Sequence, residues 1–356
     1  MRVLVTGHLG FIGTIMVPLL RRSGHDVVGL DNDYYAASTF IDDFAPVPSL
    51  RGDIRDVRSA DLRGFDAVIH LAALSNDPLA DLNPELTLDI NHRGTIHLAE
   101  AAKAAGVRRF IFSSSCSNYG AMDGDDLLNE DAPFNPVTAY GCSKVAAERD
   151  LKNMADARFC PVLMRSATAY GVSPRIRFDL VLNNLTARAV TSGTILLKSD
   201  GTPWRPVVHV EDISRAFLAT LDASESLVRG EAFNVGRTAE NYRVRELAEI
   251  VGQTVPGSRI ELASDAAADA RNYRVQCDKL PRVVSSFRPR WTARDGAREL
   301  YDAFKGRALK VEEFEGPRYR RIDRIKTLIA EGRLDSTLRW TSRVATEEAA
   351  AARTTA

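Results

Sequence analysis

The stretch RVLVTGHLGFIG (2–13) constrains the chain more than any other. Its apolar, β-branched first half has the composition of a buried strand, and three glycines follow at Gly7, Gly10 and Gly13 before a segment of helical period. Gly7 suits a tight turn, Gly10 lets the backbone approach a pyrophosphate, and Gly13 lets the helix pack closely on the strand. A pyrophosphate there would lie on amide hydrogens at a helix N-terminus. DVVGLD (26–31) is a second strand that ends in an acid, Asp31, 18 residues after Gly13. That spacing suits a carboxylate on the adenosine ribose, where it would repel a 2′-phosphate, so NAD is expected rather than NADP.

The rest of the first half continues the alternation. Strands are expected at 67–73 (AVIHLAA), 108–115 (RRFIFSSS) and 161–167 (PVLMRSA), with helices over about 84–105 and 138–157. Strands alternating with helices imply βαβ units and a buried parallel sheet. The expected fold is therefore α/β: a Rossmann doubly wound parallel sheet with a smaller C-terminal substrate-binding domain. Residues 1–172 form the NAD-binding part, with about 205–240 returning to it through VVHVEDI (207–213). About 173–204 and 241–310 form the substrate domain, with a helix near 243–252. Residues 311–356 are a C-terminal extension, expected to pack as a helix on the substrate domain and to fray at EEAAAARTTA.

Composition narrows the function classes. The 356 residues carry 47 Lys+Arg and 47 Asp+Glu, a balance that offers no general attraction to nucleic acid or an anionic membrane. Cys116, Cys142, Cys160 and Cys277 show no Cys-x-x-Cys pair and no metal-ligand spacing with histidine, so reduced thiols, a cytoplasmic location and no metal are expected. Strand-like residues from position 2 leave no room for a signal peptide, and no apolar run approaches the ~20 residues that span a bilayer.

AYGCSKVAAE places Tyr140 and Lys144 at i and i+4 on one helical face. An ammonium beside a phenol favours the phenolate and equips it as a general base. Ser113, Ser114 and Ser115 end the strand before this helix, and any of them offers a hydroxyl; the bland alternative is a cap on the next turn. Asp53, in GDIRD, reads either as an adenine contact or as a cap. His8 points either to solvent or to phosphate.

The motifs TGHLGFIG, GDIRD, HLAA, NHRGT, SSSCSNYG, YGCSK and RPVVHVED together resemble the extended short-chain dehydrogenase/reductase family, in particular its NAD-dependent nucleotide-sugar epimerases and dehydratases. The likeness runs from residue 1 to about 305. It implies a catalytic set of Ser115, Tyr140 and Lys144: Ser115 bonds the sugar hydroxyl or ketone, Tyr140 transfers the proton and Lys144 orients the cofactor. It places Gly7, Gly10, Phe11, Ile12, Gly13, Asp31, Asn32, Asp53, Ile54, Leu71, Ala72, Ala73 and Asn91, with Tyr140 and Lys144, around NAD. It places Ser75, Ser115, Ser117, Asn118, Thr168, Asn184, Arg205 and Arg271 around a nucleotide-diphosphate sugar. Arg274 rivals Arg271 as the second phosphate contact, and Trp204 either stacks on a base or packs the loop. A homodimer is also implied.

Dehydratases of the family carry acidic residues just after the serine. This chain has Cys116 and Ser117, so loss of water is disfavoured and hydride transfer alone remains. The first reading is an epimerase acting at C4 through a transient 4-keto sugar. The second is a 4-keto-sugar reductase. A third, from another class, is a non-catalytic dinucleotide-binding regulator, against which an intact Ser115–Tyr140–Lys144 set argues. Cys116 is read first as a small buried filler and second as an acid/base thiol.

Overall fold

The computed structural model describes residues 1–42, 46–75, 83–121, 126–263 and 271–341. The expected frayed segment EEAAAARTTA lies outside them. In chain order the elements that build the site begin with β1 (Arg2–Thr6), α1 (Gly13–Arg22), β2 (Asp26–Asp31), β3 (Ser49–Arg51) and β4 (Ala67–His70). A helix then runs over Pro84–Leu88, passes through one π turn at Asp89–Arg93 and continues as α2 (Gly94–Ala104). After it come β5 (Arg109–Ser115), α3 (Ala139–Asn153), β6 (Cys160–Ser166), β7 (Thr168–Tyr170) and α4 (Val181–Ser192). The chain continues with β8 (Trp204–His209), α5 (Val210–Asp222), β9 (Ala232–Val235), β10 (Asn241–Arg243), α6 (Val244–Thr254), α7 (Ala293–Gly306) and α8 (Arg321–Ala330).

Seven of these strands form one parallel sheet in the order β9-β6-β5-β4-β1-β2-β3. The order reverses between β1 and β4, and a crevice opens there at the carboxyl ends of the strands. Helices cover both faces, so the inner strands are buried throughout and largely apolar: AVIH of β4 and CPVLMRS of β6 are buried at every position. Successive side chains serve opposite faces. Val3, Val5, Ile69 and Ile111 pack under Met16, Leu20, Ile213 and Phe217 of α1 and α5. Leu4, Val68, Phe110 and Phe112 pack under Leu98, Ala102, Ala147 and Leu151 of α2 and α3. Each buried Leu or Phe here stabilises the sheet by roughly 1.5–3 kcal/mol.

Two expectations differ from the observed fold. The 207–213 stretch does not rejoin the main sheet: β8 pairs with β7 and β10 in a separate three-stranded sheet, and β9 makes the return by adding to β6. Pairing partners lie dozens of residues away, and an apolar run alone cannot choose between two sheets. The extension also packs differently. Phe314 and Tyr319 join the cluster built on α4, α6 and α7. Helix α8 and the segment after it leave that cluster: Ile325, Leu328, Leu334 and Leu338 close on Tyr34, Leu74 and Ile90 beside the crevice.

Candidate active site

The β1-to-α1 turn forms one wall of a cavity of about 690 Å³ at the crevice. Gly7 has φ 73°, and a Cβ there would sit 2.8 Å from the Ala72 amide nitrogen. A Cβ on Gly13 would lie 2.5 Å from the Gly7 carbonyl, so the third glycine brings α1 against the turn. The carboxylate of Asp31 lies over this loop and accepts hydrogen bonds from the backbone N–H groups of Leu9 (3.0 Å) and Asp33 (2.8 Å). A turn kept clear of side chains at a helix N-terminus, with an acid beside it, fits a dinucleotide carrying a ribose hydroxyl pair.

Gly10, Phe11, Ile12, Asn32, Asp53, Ile54, Leu71, Ala72 and Ala73 also line the cavity. Asp53 caps the turn at Ile54–Asp56, accepting from the Arg55 N–H at 2.9 Å, and also borders the cavity. His8 takes neither of its anticipated orientations. Its ring is buried against Gly29, with Nε2 3.0 Å from the Ser49 hydroxyl, and burial lowers its pKa. Asn91 does not reach the cavity either. It clamps the backbone of Leu74, accepting from its N–H at 2.8 Å and donating to its carbonyl at 3.0 Å, and so fixes the loop that follows β4.

At the far side of the crevice, β5 ends in Ser115. Its hydroxyl accepts from the Ser117 N–H at 3.1 Å, donates to the Ser117 hydroxyl at 2.9 Å and lines the cavity. Ser114 is otherwise engaged, since its hydroxyl donates to the buried Glu148 carboxylate. Thr138 caps α3 by accepting from the Gly141 N–H at 3.1 Å, which puts Tyr140 in the first turn at the cavity wall. One turn on, Lys144 is 2% exposed. Its ammonium donates to the Ser113 carbonyl at 2.7 Å and lies 5.7 Å from the centre of the Tyr140 ring. Burial brings its pKa down to about 7. The i, i+4 pair and the strand-end serine thus meet at one wall.

A buried polar network holds that wall in register. Glu148, one turn beyond Lys144, pairs with Arg165 of β6 at 2.8 Å and accepts from Asn118 at 2.9 Å. Arg165 donates to the Tyr119 hydroxyl at 3.0 Å. The turn after Ser115 is thereby tied to α3 and β6. Asn118 belongs to this network and is fully buried away from the cavity. Cys116 is also fully buried, its thiol directed at the Arg165 carbonyl, and burial pushes its pKa well above the ordinary thiol value.

Ser75, Ser117, Thr168, Arg205 and Arg271 line the cavity, whereas Asn184 does not. Asn184 donates to the Phe178 carbonyl at 2.9 Å and braces the loop before α4. Arg205 is 7% exposed and donates to the carbonyls of Trp204 and Arg271. Arg274 lies away from the cavity, 4.4 Å from the centre of the Trp204 ring, and Arg243 lies 5.0 Å from it. Of the two rivals, Arg271 therefore faces the cavity, and Trp204 packs the loop. Sequence reasoning missed Tyr35, Arg177, Asp179, Tyr273 and Arg321, all of which line the cavity. The charge run RIRFD carried a weak signal for Arg177 and Asp179. Nothing local marked Arg321. No helix among the described residues is long and apolar enough to cross a membrane.

A glycine turn after the first strand, an acid ending the second and a Ser–Tyr–Lys wall in one crevice are the arrangement of a nicotinamide-dependent enzyme of the extended short-chain dehydrogenase/reductase class. Residues 3–236 match the family described as "NAD dependent epimerase/dehydratase family". The chain is 37% identical over 282 residues to the UDP-glucose 4-epimerase of Streptomyces lividans, spanning 72% of this chain and 82% of that protein. It superposes on MoeE5 in complex with UDP-glucuronic acid and NAD with TM-score 0.74 and 31% identity, over 87% of this chain and 100% of the other. It superposes on DesIV, a dTDP-glucose 4,6-dehydratase from Streptomyces venezuelae with NAD bound, with TM-score 0.74 and 25% identity, over 86% and 97% of the two chains. The chain belongs to the NAD-dependent epimerase/dehydratase family.

Proposed function

We propose that this enzyme is a nucleotide-sugar epimerase that inverts C4 through a transient 4-keto sugar. The observation that carries the reading is the pair of residues after Ser115. The family's dehydratases are expected to place acids there, whereas this chain has a fully buried thiol at Cys116 and a hydroxyl at Ser117. Hydride chemistry needs only what the wall supplies. NAD, held by the glycine turn and Asp31, would supply a hydride acceptor and donor for C4, so that hydride removed from one face of the ring could be restored to the other. Tyr140 takes the proton from the C4 hydroxyl as the ketone forms and returns it when the alcohol re-forms, so no net oxidation occurs. Ser115 hydrogen-bonds the C4 oxygen in both states. Lys144 holds the ribose next to the nicotinamide and its charge favours the phenolate of Tyr140.

Gly7, Gly10, Phe11, Ile12, Gly13, Asp31, Asn32, Asp53, Ile54 and Leu71–Ala73 would hold the cofactor. Arg205 and Arg271 would take the substrate diphosphate, as bidentate guanidinium donors suit phosphate. Ser117 and Thr168 would face the sugar. The UDP sugars of the S. lividans and MoeE5 relatives make a UDP sugar the first substrate to try.

The test is proton NMR of a panel of nucleotide sugars with purified enzyme and no added cofactor. Inversion at C4 supports the reading. Loss of the C6 hydroxyl makes the enzyme a dehydratase, and turnover only on addition of reduced cofactor makes it a reductase. Tyr140→Phe should keep bound NAD and lose at least 100-fold in kcat; full activity in that variant refutes the assignment of the base. Light scattering tests the homodimer: a mass near 39.1 kDa refutes it.

A further inference from the structure

The glycine turn VTGHLGFIGT holds no lysine or arginine, so it meets a pyrophosphate with neutral amides and a helix dipole alone. Of the four arginines that line the same cavity, Arg177 and Arg321 approach it together. Arg177, from the loop before α4, pairs with Asp179 at 2.6 Å. Arg321 is the first residue of α8 in the C-terminal extension. Its Nη1 donates to the Ser75 hydroxyl at 3.3 Å, as does that of Arg177 at 3.4 Å, so the two cations converge on one oxygen. The Arg321 guanidinium covers the Tyr35 ring at 4.6 Å from its centre. Among the described residues it has no carboxylate within ion-pair distance. Burial, and then the like charge of Arg177, holds its pKa below the ordinary value. Asp179 and Asp31 act on it only from beyond ion-pair distance, so a bound anion would stabilise it.

The extension is built to hold this cation in place. The Trp340 indole donates to the Asn32 carbonyl at 2.8 Å, Arg55 donates to the Thr337 carbonyl at 3.0 Å, and Arg324 donates to the Tyr34 carbonyl at 3.3 Å. All three contacts fall on the loops at the ends of β2 and β3, where the adenosine half of a dinucleotide belongs. Ser75 follows the Leu71–Ala73 run, whose backbone a Cβ on Gly7 would meet, so Arg321 reaches the cavity on the side of the glycine turn.

We propose that the C-terminal extension is a part of the cofactor site that clamps the dinucleotide, with Arg321, assisted by Arg177, as the cationic contact to its pyrophosphate. This rests on the family's use of NAD but not on the epimerase reading. A clamp packed over the adenosine end slows cofactor exchange, which suits an enzyme whose hydride returns to its own substrate.

Isothermal titration of cofactor-stripped, full-length protein tests the assignment with NAD, ADP-ribose and UDP as probes. Arg321→Met keeps the aliphatic stem and removes the charge. It should weaken NAD and ADP-ribose alike by roughly 10- to 100-fold, the range for a lost charge-assisted hydrogen bond, and leave UDP within twofold. Arg321→Lys should recover most of the loss. Trp340→Ala, which loosens the clamp without touching the cation, should speed NAD release. Unchanged NAD and ADP-ribose affinity in Arg321→Met overturns the proposal. So does weakening of UDP or of an acidic nucleotide sugar with NAD unaffected, which moves the arginine to the substrate side. If Arg321→Met does not fold, Arg321→Gln and Trp340→Ala decide: parent-like NAD affinity in Arg321→Gln together with parent-like NAD release in Trp340→Ala overturns it. Because the probes require no sugar turnover, failure of the epimerase reading leaves this result intact, and the converse also holds.

Discussion

Replacing Lys144 with methionine should make the cofactor-stripped protein more stable and the NAD-loaded enzyme catalytically dead. The ammonium is 2% exposed, its hydrogen-bond partner is the Ser113 carbonyl, and burial lowers its pKa to about 7. An unfolded lysine titrates near 10.4, and each pH unit of difference is worth about 1.4 kcal/mol, so the site costs the fold about 4 kcal/mol at pH 7 and about 2 kcal/mol at pH 9. The sign follows from proton counting. Between about pH 7 and 10.4 the unfolded chain binds the proton that the folded chain has released, so wild-type stability rises with pH across that window. Methionine fills similar volume, removes the titration and forfeits a hydrogen bond worth about 1–2 kcal/mol. Lys144→Met should therefore gain about 2–3 kcal/mol at pH 7 and close to nothing at pH 9, read by urea unfolding monitored through tryptophan fluorescence, with turnover lost at both. A variant less stable than wild type at pH 7, or a difference that does not change with pH, would refute the account of this lysine as a strained functional group.

Two further outcomes test the surroundings of the site. Cys116→Ala should keep kcat within about threefold and cost about 1 kcal/mol, since the thiol is a buried filler; in the native wild type a thiol reagent should label the exposed Cys142 and spare Cys116. Arg165→Met should cost about 3–5 kcal/mol in chemical denaturation by stranding the Glu148 carboxylate, and adding Glu148→Gln should recover a large part of that loss.

Residues whose role is set by local chemistry were readable from the chain. Gly7 and Gly13 are where a side chain would strike backbone, Asp31 ends a strand beside them, and Tyr140 and Lys144 share a face because a helix repeats every 3.6 residues. The expectation of a parallel α/β sheet rested on equally local patterns, and the seven-stranded sheet has them. Residues whose role depends on which way a side chain turns were less readable. Asn91 and Asn118 sit where the resemblance implied ligand contacts, yet they satisfy buried backbone and carboxylate groups instead. A short polar side chain serves either purpose, and only its surroundings select one.

By itself the sequence determined the glycine turn, the acid that ends the next strand and the tyrosine–lysine face of one helix, because each of these is written within a short stretch of chain. Tertiary structure alone decided that β8 leaves the main sheet, that Cys116 is sealed off, and that Arg321 crosses 246 residues of separation to share the Ser75 hydroxyl with Arg177. The physical reason is the same in each case. Periodicity records which face of an element is apolar, but the partner for that face is chosen by packing over the whole molecule, and the partner decides whether a charge on the extension meets solvent or the cavity.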